Sequence, residues 1–243
     1  MAQAGVNVVS SCEELLYPWL RAPEQARAID GLCRASGARV VATGVNPGFV
    51  LDVLPVCLAG LSRQVNGVYG ERVVDASTRR LPLQKKIGCG MPPDAFRQLF
   101  KEGKAGHAGF RESAALVCHC LGWRSGTTLA AITETCEPVI AKTDIETRFL
   151  KVRAGQTCGL HQKVSAVFEG RQVVDLDLKM YLGAEDPHDL VRVDGDPPVE
   201  VLAKGGIAGD HATVAALVNT VARVQRARAG LLLVTDLPVS CSA

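Results

Sequence analysis

The stretch VVATGVNPGFVLD, residues 40–52, decides the fold. Its first residues are β-branched or small and predict a buried strand, the glycines, asparagine and proline after them predict a turn, and the apolar residues from 49 predict a helix. Such a turn presents backbone N–H groups and the Asn46 side chain at the carboxyl end of a sheet, where open α/β folds bind ligands. The alternative is an ordinary strand-to-helix connection whose glycines only supply unusual φ angles.

The segments before this stretch complete a βαβ pattern. Residues 5–10 predict a short strand, and Pro23 begins a predicted helix that ends at Ser36, before Gly37. Strand, helix and strand in this order predict parallel pairing with a right-handed crossover. The G-x-G-x-x-G turn that opens the usual dinucleotide-binding unit does not occur in the sequence. We therefore expect an incomplete Rossmann lobe.

Beyond residue 50 the pattern changes from βαβ to hairpins. Apolar and polar residues alternate in several runs between 65 and 203, and the sequence EGR at 169–171 is typical of a hairpin turn. These runs predict a mixed, mostly antiparallel sheet with helices on one face, so the expected fold class is α/β plus α+β. A helix from 211 to 226 follows. We expect its buried side to consist of Val214, Leu217, Val218, Val221 and Val224.

This change of pattern divides the chain into two predicted lobes. Residues 1–48, with the segment 210–243 packed onto them, are expected to form a partial nucleotide-binding lobe. Residues 49–209 are expected to form a substrate-binding and oligomerisation α+β domain. The sheet face that its helices leave free should bind a second copy in a homodimer. That face is expected to include Val173, Leu176, Leu178 and Met180 or their alternates.

Composition limits the classes of partner. The 243 residues are 47% hydrophobic with a net charge of +2, and the basic residues are scattered, so we expect no nucleic acid or anionic membrane as partner. No apolar run approaches about 18 residues and no basic leader precedes an apolar stretch, which favours a soluble, cytoplasmic protein. The nine cysteines are odd in number and lack C-x-x-C spacing. They are therefore interpreted as reduced thiols, and no metal site is predicted.

Two further segments carry candidate binding chemistry. Residues 76–90 predict a long basic loop in which Arg79, Arg80, Lys85 and Lys86 place four cations within eight residues. These side chains are expected to face an anion, either a substrate carboxylate or a cofactor phosphate, unless the loop is simply solvated. In the glycine-rich connector 103–109, His107 is a candidate proton donor, with a surface or helix-capping role as the alternative.

Five ordered blocks together carry a family resemblance. They are SCEEL at 11–15, TGVNPGF at 43–49, VDASTRRLPLQKKIG at 74–88, GFRES at 109–113 and GGIAGDHAT at 205–213. The chain resembles the 2,4-diaminopentanoate dehydrogenase group of amine dehydrogenases, which is similar in fold to dihydrodipicolinate reductase. The resemblance implies NAD(P)-linked oxidation of a primary amine to a carbonyl and ammonia, or the reverse reductive amination, with a small amine or ketone as substrate.

The resemblance also implies roles for individual residues. The nicotinamide of NAD or NADP should lie near the turn, where the implied cofactor-binding residues are Thr43, Gly44, Asn46, Pro47 and Gly48. Glu13, with Glu14 as the competing choice, should handle the proton and ammonia, since a carboxylate can stabilise an iminium cation and accept an ammonium proton. Arg79, Arg80, Lys85 and Lys86 should lie on the substrate side. The alternative is that both glutamates face solvent or cap the following turn.

Departures from the pattern qualify these implications. The His-His pair and the Lys-x-Asp-x-x-Ser-Gly-Thr loop of dihydrodipicolinate reductases do not occur, so we do not expect that activity. Relatives of this fold also carry a first half of the nucleotide domain, roughly 80–100 residues, which contains the phosphate-binding turn. Two hypotheses follow: an oxidoreductase that binds NAD(P)H weakly and is inactive alone, or a non-catalytic, oligomer-forming remnant. The sequence does not separate NAD from NADP.

Overall fold

The computed structural model describes residues 1–125 and 128–239, with the backbone alone for residues 128 and 129. Within these ranges it has six α-helices and thirteen strands, several of them only two residues long. The helices are α1 Pro23–Ser36, α2 Val53–Ala59, α3 Leu81–Lys86, α4 Pro93–Lys101, α5 Phe110–Cys120 and α6 Gly209–Gln225. The strands are β1 Val8–Ser10, β2 Arg39–Ala42, β3 Gln64–Asp75, β4 Arg124–Ser125, β5 Thr128–Leu129, β6 Ala131–Ile140, β7 Ile145–Glu146, β8 Lys151–Val152, β9 Thr157–Phe168, β10 Arg171–Tyr181, β11 His188–Asp196, β12 Val199–Lys204 and β13 Gly230–Leu232. Residues 240–243, which include Cys241 and end the predicted first lobe, lie outside the described residues.

A small parallel sheet begins and ends the described chain. Its strand order is β1-β2-β13, and both pairings are parallel. The βαβ pattern predicts the β1–β2 pairing, whereas β13 was not predicted as a strand. Neighbouring side chains of β2 point to opposite faces: Val40 packs in one cluster with Ala26 and Cys33 of α1, and Val41 packs in another with Val224 of α6. Helices therefore cover both faces, and the C-terminal segment returns to the sheet that the N-terminal segment begins.

A six-stranded mixed sheet forms the larger part of the chain. Its order is β12-β11-β3-β10-β9-β6, and only the β3–β10 pair is parallel. Leu160, Val164, Leu176 and Leu178 on β9 and β10 are fully buried in one large cluster that includes α5 residues. The predicted fold class, a mixed α/β chain with a mostly antiparallel sheet and helices, is confirmed.

The free face of this sheet is polar. Val173, Leu176, Leu178 and Met180 are buried within the chain, so these four side chains are not available to a second subunit. The residues that alternate with them along β10 lie on the free face, where ion pairs join neighbouring strands. Lys179 contacts Glu71 at 2.6 Å, and Lys163 contacts Asp177 at 3.1 Å. A partner on this face would meet paired charges, not an apolar surface.

Two local predictions are wrong. Residues 81–86 form the short helix α3 inside the predicted basic loop. The predicted buried side of α6 is largely exposed: Val214 is 61% and Val218 63% accessible, and Val221 is also exposed, whereas Thr220 and Val224 are the buried residues. Among the described residues, no helix combines the length and the apolar character needed to span a membrane.

Candidate active site

The turn after β2 is built by close backbone approaches. Thr43 is buried and its N–H donates to Ser10 O at 2.9 Å, which extends the β1–β2 pairing into the turn. Gly48 has φ +122°, and a Cβ there would lie 2.2 Å from Gly44 N. A Cβ on Gly44 would lie 2.8 Å from the Pro47 carbonyl oxygen. The two glycines are therefore required because the turn folds its backbone onto itself.

Asp52 holds this turn against the rest of the site. Its buried carboxylate accepts hydrogen bonds from Gly48 N–H at 2.8 Å, Val53 N–H at 2.7 Å and Ser113 Oγ at 2.7 Å. Burial raises the pKa of Asp52, and the three donors oppose that shift. One side chain thus caps α2, fixes Gly48 and joins the turn to α5.

The glycine-rich connector before α5 packs directly on the turn. Gly109 has φ +78°, and a Cβ there would lie 2.6 Å from Pro47 Cγ and 2.8 Å from Glu13 Cβ. Only a glycine fits between the two. This contact brings three segments that are far apart in sequence, the first glutamate, the turn and the start of α5, to one place.

These segments enclose a cavity of about 200 Å³ between elements of both sheets. Its lining is mainly polar and charged, with contributions from the turn, β3, the connector and the start of α6. The lining residues are Glu13, Val45, Asn46, Arg72, Val74, Arg79, Arg80, Leu83, His107, Met180, Gly209, Asp210 and Thr213. Four residues expected at the site, Glu13, Asn46, Arg79 and Arg80, therefore meet around one space.

Asn46 has an unused amide in this cavity. Both its Oδ1 and its Nδ2 are buried without a hydrogen-bond partner among the described residues. Leaving such groups unpaired costs about 1–3 kcal/mol each. An amide offers one acceptor and two donors, which matches the needs of a primary carboxamide such as that of a nicotinamide ring. The residues present therefore fit the carboxamide end of such a cofactor.

The structure separates the two candidate glutamates. Glu13 lines the 200 Å³ cavity, its side chain is 29% exposed, and Lys86 Nζ lies 3.4 Å from its Oε2. Burial raises the pKa of Glu13, while Lys86 acts in the opposite direction. Glu14 is exposed and lines a neighbouring cavity of about 570 Å³. Of the two carboxylates, Glu13 is the one that shares a space with Asn46.

Three of the four predicted cations meet carboxylates of the protein itself. Asp210, at the start of α6, lies 2.9 Å from Arg79 and 3.4 Å from Arg80, and Lys86 pairs with Glu13. Arg79 Nε is buried without a partner among the described residues. Lys85 is exposed and lines neither cavity. Ion pairs thus connect the basic segment to α6 and to Glu13, and Arg79 is the least exposed of its paired cations.

Sequence reasoning missed Arg72. It lies on β3 facing the core, is 3% exposed, and its Nε is 3.4 Å from Asp189 Oδ1, while its Nη1 has no partner among the described residues. A signal was present, because the alternation of β3 places Arg72 on the inward face with Val68 and Val74. A charge at an inward strand position is uncommon unless it is paired or functional.

His107, the candidate proton donor of the connector, lies at the cavities and not at a helix cap. The N-cap of α5 is Gly109, so His107 does not cap that helix. His107 lines both the 200 Å³ and the 570 Å³ cavity. A residue in a glycine-rich connector gives no periodic pattern from which this position could be derived.

Comparisons with known proteins agree with the resemblance. The model of the 2,4-diaminopentanoate dehydrogenase C-terminal domain matches residues 49–243. A 2,4-diaminopentanoate dehydrogenase from Acetoanaerobium sticklandii is 30% identical over 239 residues, which cover 96% of this chain and 67% of that protein. An amine dehydrogenase from Streptomyces virginiae is 25% identical over 261 positions, covering 98% of this chain and 71% of that protein.

A solved structure shows the same fold. The amine dehydrogenase from Mycobacterium smegmatis superposes with a TM-score of 0.83 at 21% identity, covering 98% of this chain and 70% of that one. The sequence matches and this superposition confirm the resemblance stated from the five blocks. This chain belongs to the 2,4-diaminopentanoate dehydrogenase C-terminal domain family, and its relatives include a 2,4-diaminopentanoate dehydrogenase and an amine dehydrogenase.

Proposed function

We propose that this chain acts as an NAD(P)-dependent oxidoreductase on the CH–NH2 group of a small amine, or in the reverse direction on a small ketone with ammonia. One observation carries the proposal: a single cavity joins the half-buried Glu13 carboxylate to the unpaired Asn46 amide. A carboxylate and a carboxamide-binding group at one small space suit proton handling beside a nicotinamide. The family membership supports the same reaction class.

The turn would hold the nicotinamide end of the cofactor. Asn46 would pair with its carboxamide, and Thr43, Gly44, Pro47 and Gly48 would shape the backbone against its ring. A bound nicotinamide would supply the acceptor for the hydride that leaves the amine carbon. Either NAD or NADP satisfies these contacts, because both carry the same ring and carboxamide.

Glu13 would handle the proton. A primary amine is protonated at neutral pH and must lose a proton before its carbon can give up a hydride, and a nearby carboxylate with a raised pKa is suited to take it. In the reverse direction the same carboxylate would orient ammonia. Its negative charge would also stabilise the substrate iminium cation. Glu14, which lines the other cavity, remains the alternative.

The basic segment would form the substrate side. Arg79 and Arg80, which pair with Asp210, would form one wall of the cavity. Lys86 would lower the pKa of Glu13 through its ion pair. Lys85, which lines neither cavity, would contribute least. This arrangement would leave the enclosed Arg79 guanidinium as the group that meets a polar or anionic end of the substrate.

We extend the proposal to organisation. Residues 1–48 with 210–243 would form the nucleotide-facing lobe and residues 49–209 the substrate-binding lobe. The protein would act in the cytoplasm as a homodimer whose contact uses the polar free face of the six-stranded sheet. Sedimentation at micromolar concentration tests the dimer, and a monomer there would contradict it.

A matched pair of variants tests the catalytic role. Glu13→Gln and Glu14→Gln each remove one charge from adjacent positions, but only Glu13 lines the cavity with Asn46. Oxidation of NADH and NADPH is followed by absorbance, each at millimolar concentration, with ammonium and a set of small ketones. We expect weak cofactor binding and, at most, slow turnover that requires ammonium and ketone together. Glu13→Gln should lower the rate by about 10²–10⁴-fold, whereas Glu14→Gln should change it little.

Two outcomes would contradict the proposal. Turnover lost in Glu14→Gln and kept in Glu13→Gln would move the proton-handling role to Glu14. A wild-type chain that binds neither cofactor even at millimolar concentration, as measured by nucleotide fluorescence, would favour the non-catalytic hypothesis over a weakly binding oxidoreductase.

A further inference from the structure

The imidazole of His107 presents a bare acceptor nitrogen to the site. Its Nδ1 lies 2.9 Å from the Ala108 carbonyl oxygen, which can only accept, so Nδ1 carries the proton and Nε2 carries the lone pair. Nε2 has no partner among the described residues, and the ring lines the cavity that contains Glu13. The protein thus fixes one tautomer and leaves its acceptor nitrogen available at the cavity.

A buried glutamine fixes the position of this residue. Gln162, on β9, is 1% exposed. Its Oε1 accepts from His107 N–H at 2.7 Å, and its Nε2 donates to the His107 carbonyl at 3.0 Å and to Glu134 at 2.7 Å. A two-point contact to the backbone, made from a central strand, holds a connector that would otherwise be free to move.

Burial and the nearby positive charges keep the imidazole neutral. Burial, and to a smaller extent Lys86, Arg72 and Arg79, lowers the pKa of His107 to about 4. The hydrogen bond to Ala108 opposes this shift. The imidazole is therefore an acceptor and not a proton donor at physiological pH.

We infer that Nε2 of His107 accepts a hydrogen bond from an N–H of the substrate nitrogen, while the Glu13 carboxylate accepts another. This inference rests on the proposed function. A primary amine, like the iminium ion formed from it, carries two N–H groups and satisfies both acceptors. An alcohol has one O–H and can satisfy only one of the two acceptors. The pair would therefore select nitrogen over oxygen, and His107 would be a specificity-determining residue.

The size of the effect follows from the cost of an unpaired acceptor. Removing one hydrogen bond to a neutral or charged partner weakens binding by about tenfold or more. We expect His107→Leu, which keeps volume and removes the acceptor, to raise the dissociation constant for a primary amine by about tenfold. His107→Gln, whose Oε1 can replace Nε2, should recover most of the affinity. His161→Gln, on the free face of the sheet, is the control and should change nothing.

The experiment uses ¹⁵N-histidine-labelled full chain and two probes of similar shape, isopropylamine and isopropanol. In the free protein the His107 signals should report a protonated Nδ1 and a bare Nε2. Isopropylamine should shift the Nε2 resonance as it accepts a hydrogen bond, and isopropanol should shift it far less. A protonated Nε2 in the free protein, equal shifts with both probes, or unchanged amine affinity in His107→Leu would each overturn the inference.

These measurements read binding, not turnover. The wild-type spectra also test the inference if His107→Leu does not fold. A shifted Nε2 in a protein that never oxidises NAD(P)H would contradict the proposed function. An unmoved Nε2 in a protein that turns over amines would contradict only the role of His107.

Discussion

Replacing Gly48 by alanine tests whether the turn after β2 needs its close backbone contacts. Gly48 has φ +122°, and an added Cβ would lie 2.2 Å from Gly44 N and 2.9 Å from both Gly44 Cα and Thr43 C. These are backbone atoms of the same turn, so no side chain can rotate away. The methyl group can fit only if the turn opens, which would also break the bond from Gly48 N–H to Asp52.

The expected loss of folding stability is large for the addition of one methyl group. Holding a non-glycine residue in this backbone region costs about 1–3 kcal/mol, overpacking costs about 1–3 kcal/mol, and the lost hydrogen bond about 0.5–1.5 kcal/mol. Since these costs overlap when the turn relaxes, we expect the free energy of unfolding to fall by about 3–6 kcal/mol. For a chain of this length that lowers Tm by roughly 6–24 °C.

Thermal and urea unfolding measure the effect, with two alanine controls. Gly90→Ala has φ +85° but no atom within 4 Å of the new Cβ, so it carries the backbone cost alone. Gly31→Ala, within α1 and also without close atoms, should stabilise the chain by about 0.5–1 kcal/mol. If Gly48→Ala lost no more stability than Gly90→Ala, the turn would not be held by close contact and the geometry argued for the cofactor side would be wrong.

Three further predictions concern the core, the thiols and α6. Arg72→Met should lower the free energy of unfolding in urea by about 3–5 kcal/mol, because Asp189 stays buried without its partner. Adding Asp189→Leu should recover much of that stability, and no recovery would contradict the pairing. Peptide mass mapping after brief treatment with a thiol reagent should find Cys12 and Cys57 modified before the buried cysteines, and early labelling of a buried one would argue against the packing. Val218→Lys should change stability by less than about 0.5 kcal/mol, since that side of α6 is exposed; a loss of several kcal/mol would mean that it is packed.

Local signals in the sequence were sufficient for several elements. Pro23 in the first turn and Gly37 after the last residue predicted α1, and the structure confirms both ends, with Gly37 at φ 76°. The β-branched run before the glycine turn predicted β2, and its parallel pairing with β1 follows from the βαβ pattern. These predictions succeeded because capping, turn chemistry and strand propensity act over a few residues.

The candidate site was only partly accessible from sequence. The family resemblance pointed to Glu13 and Asn46, and the structure brings both to one cavity. It could not separate Glu13 from Glu14, because neighbouring residues differ in function only through the direction in which the chain turns them. Arg72 was missed and the role of His107 was left open for a related reason: each is positioned by a partner on a distant strand, Asp189 and Gln162.

The sequence by itself determined the first βαβ unit, the glycine turn and the change to hairpins, and through its ordered blocks it determined the family. Only the tertiary structure decided which faces are covered. The apolar side of α6 has the pattern of a buried helix, yet Val214 and Val218 are exposed while Thr220 is fully buried, because burial depends on what lies opposite and not on periodicity. The same holds at the site, where Gly109 permits Pro47 and Glu13 to meet: a contact between distant segments depends on the packing of the whole chain, which no local pattern records.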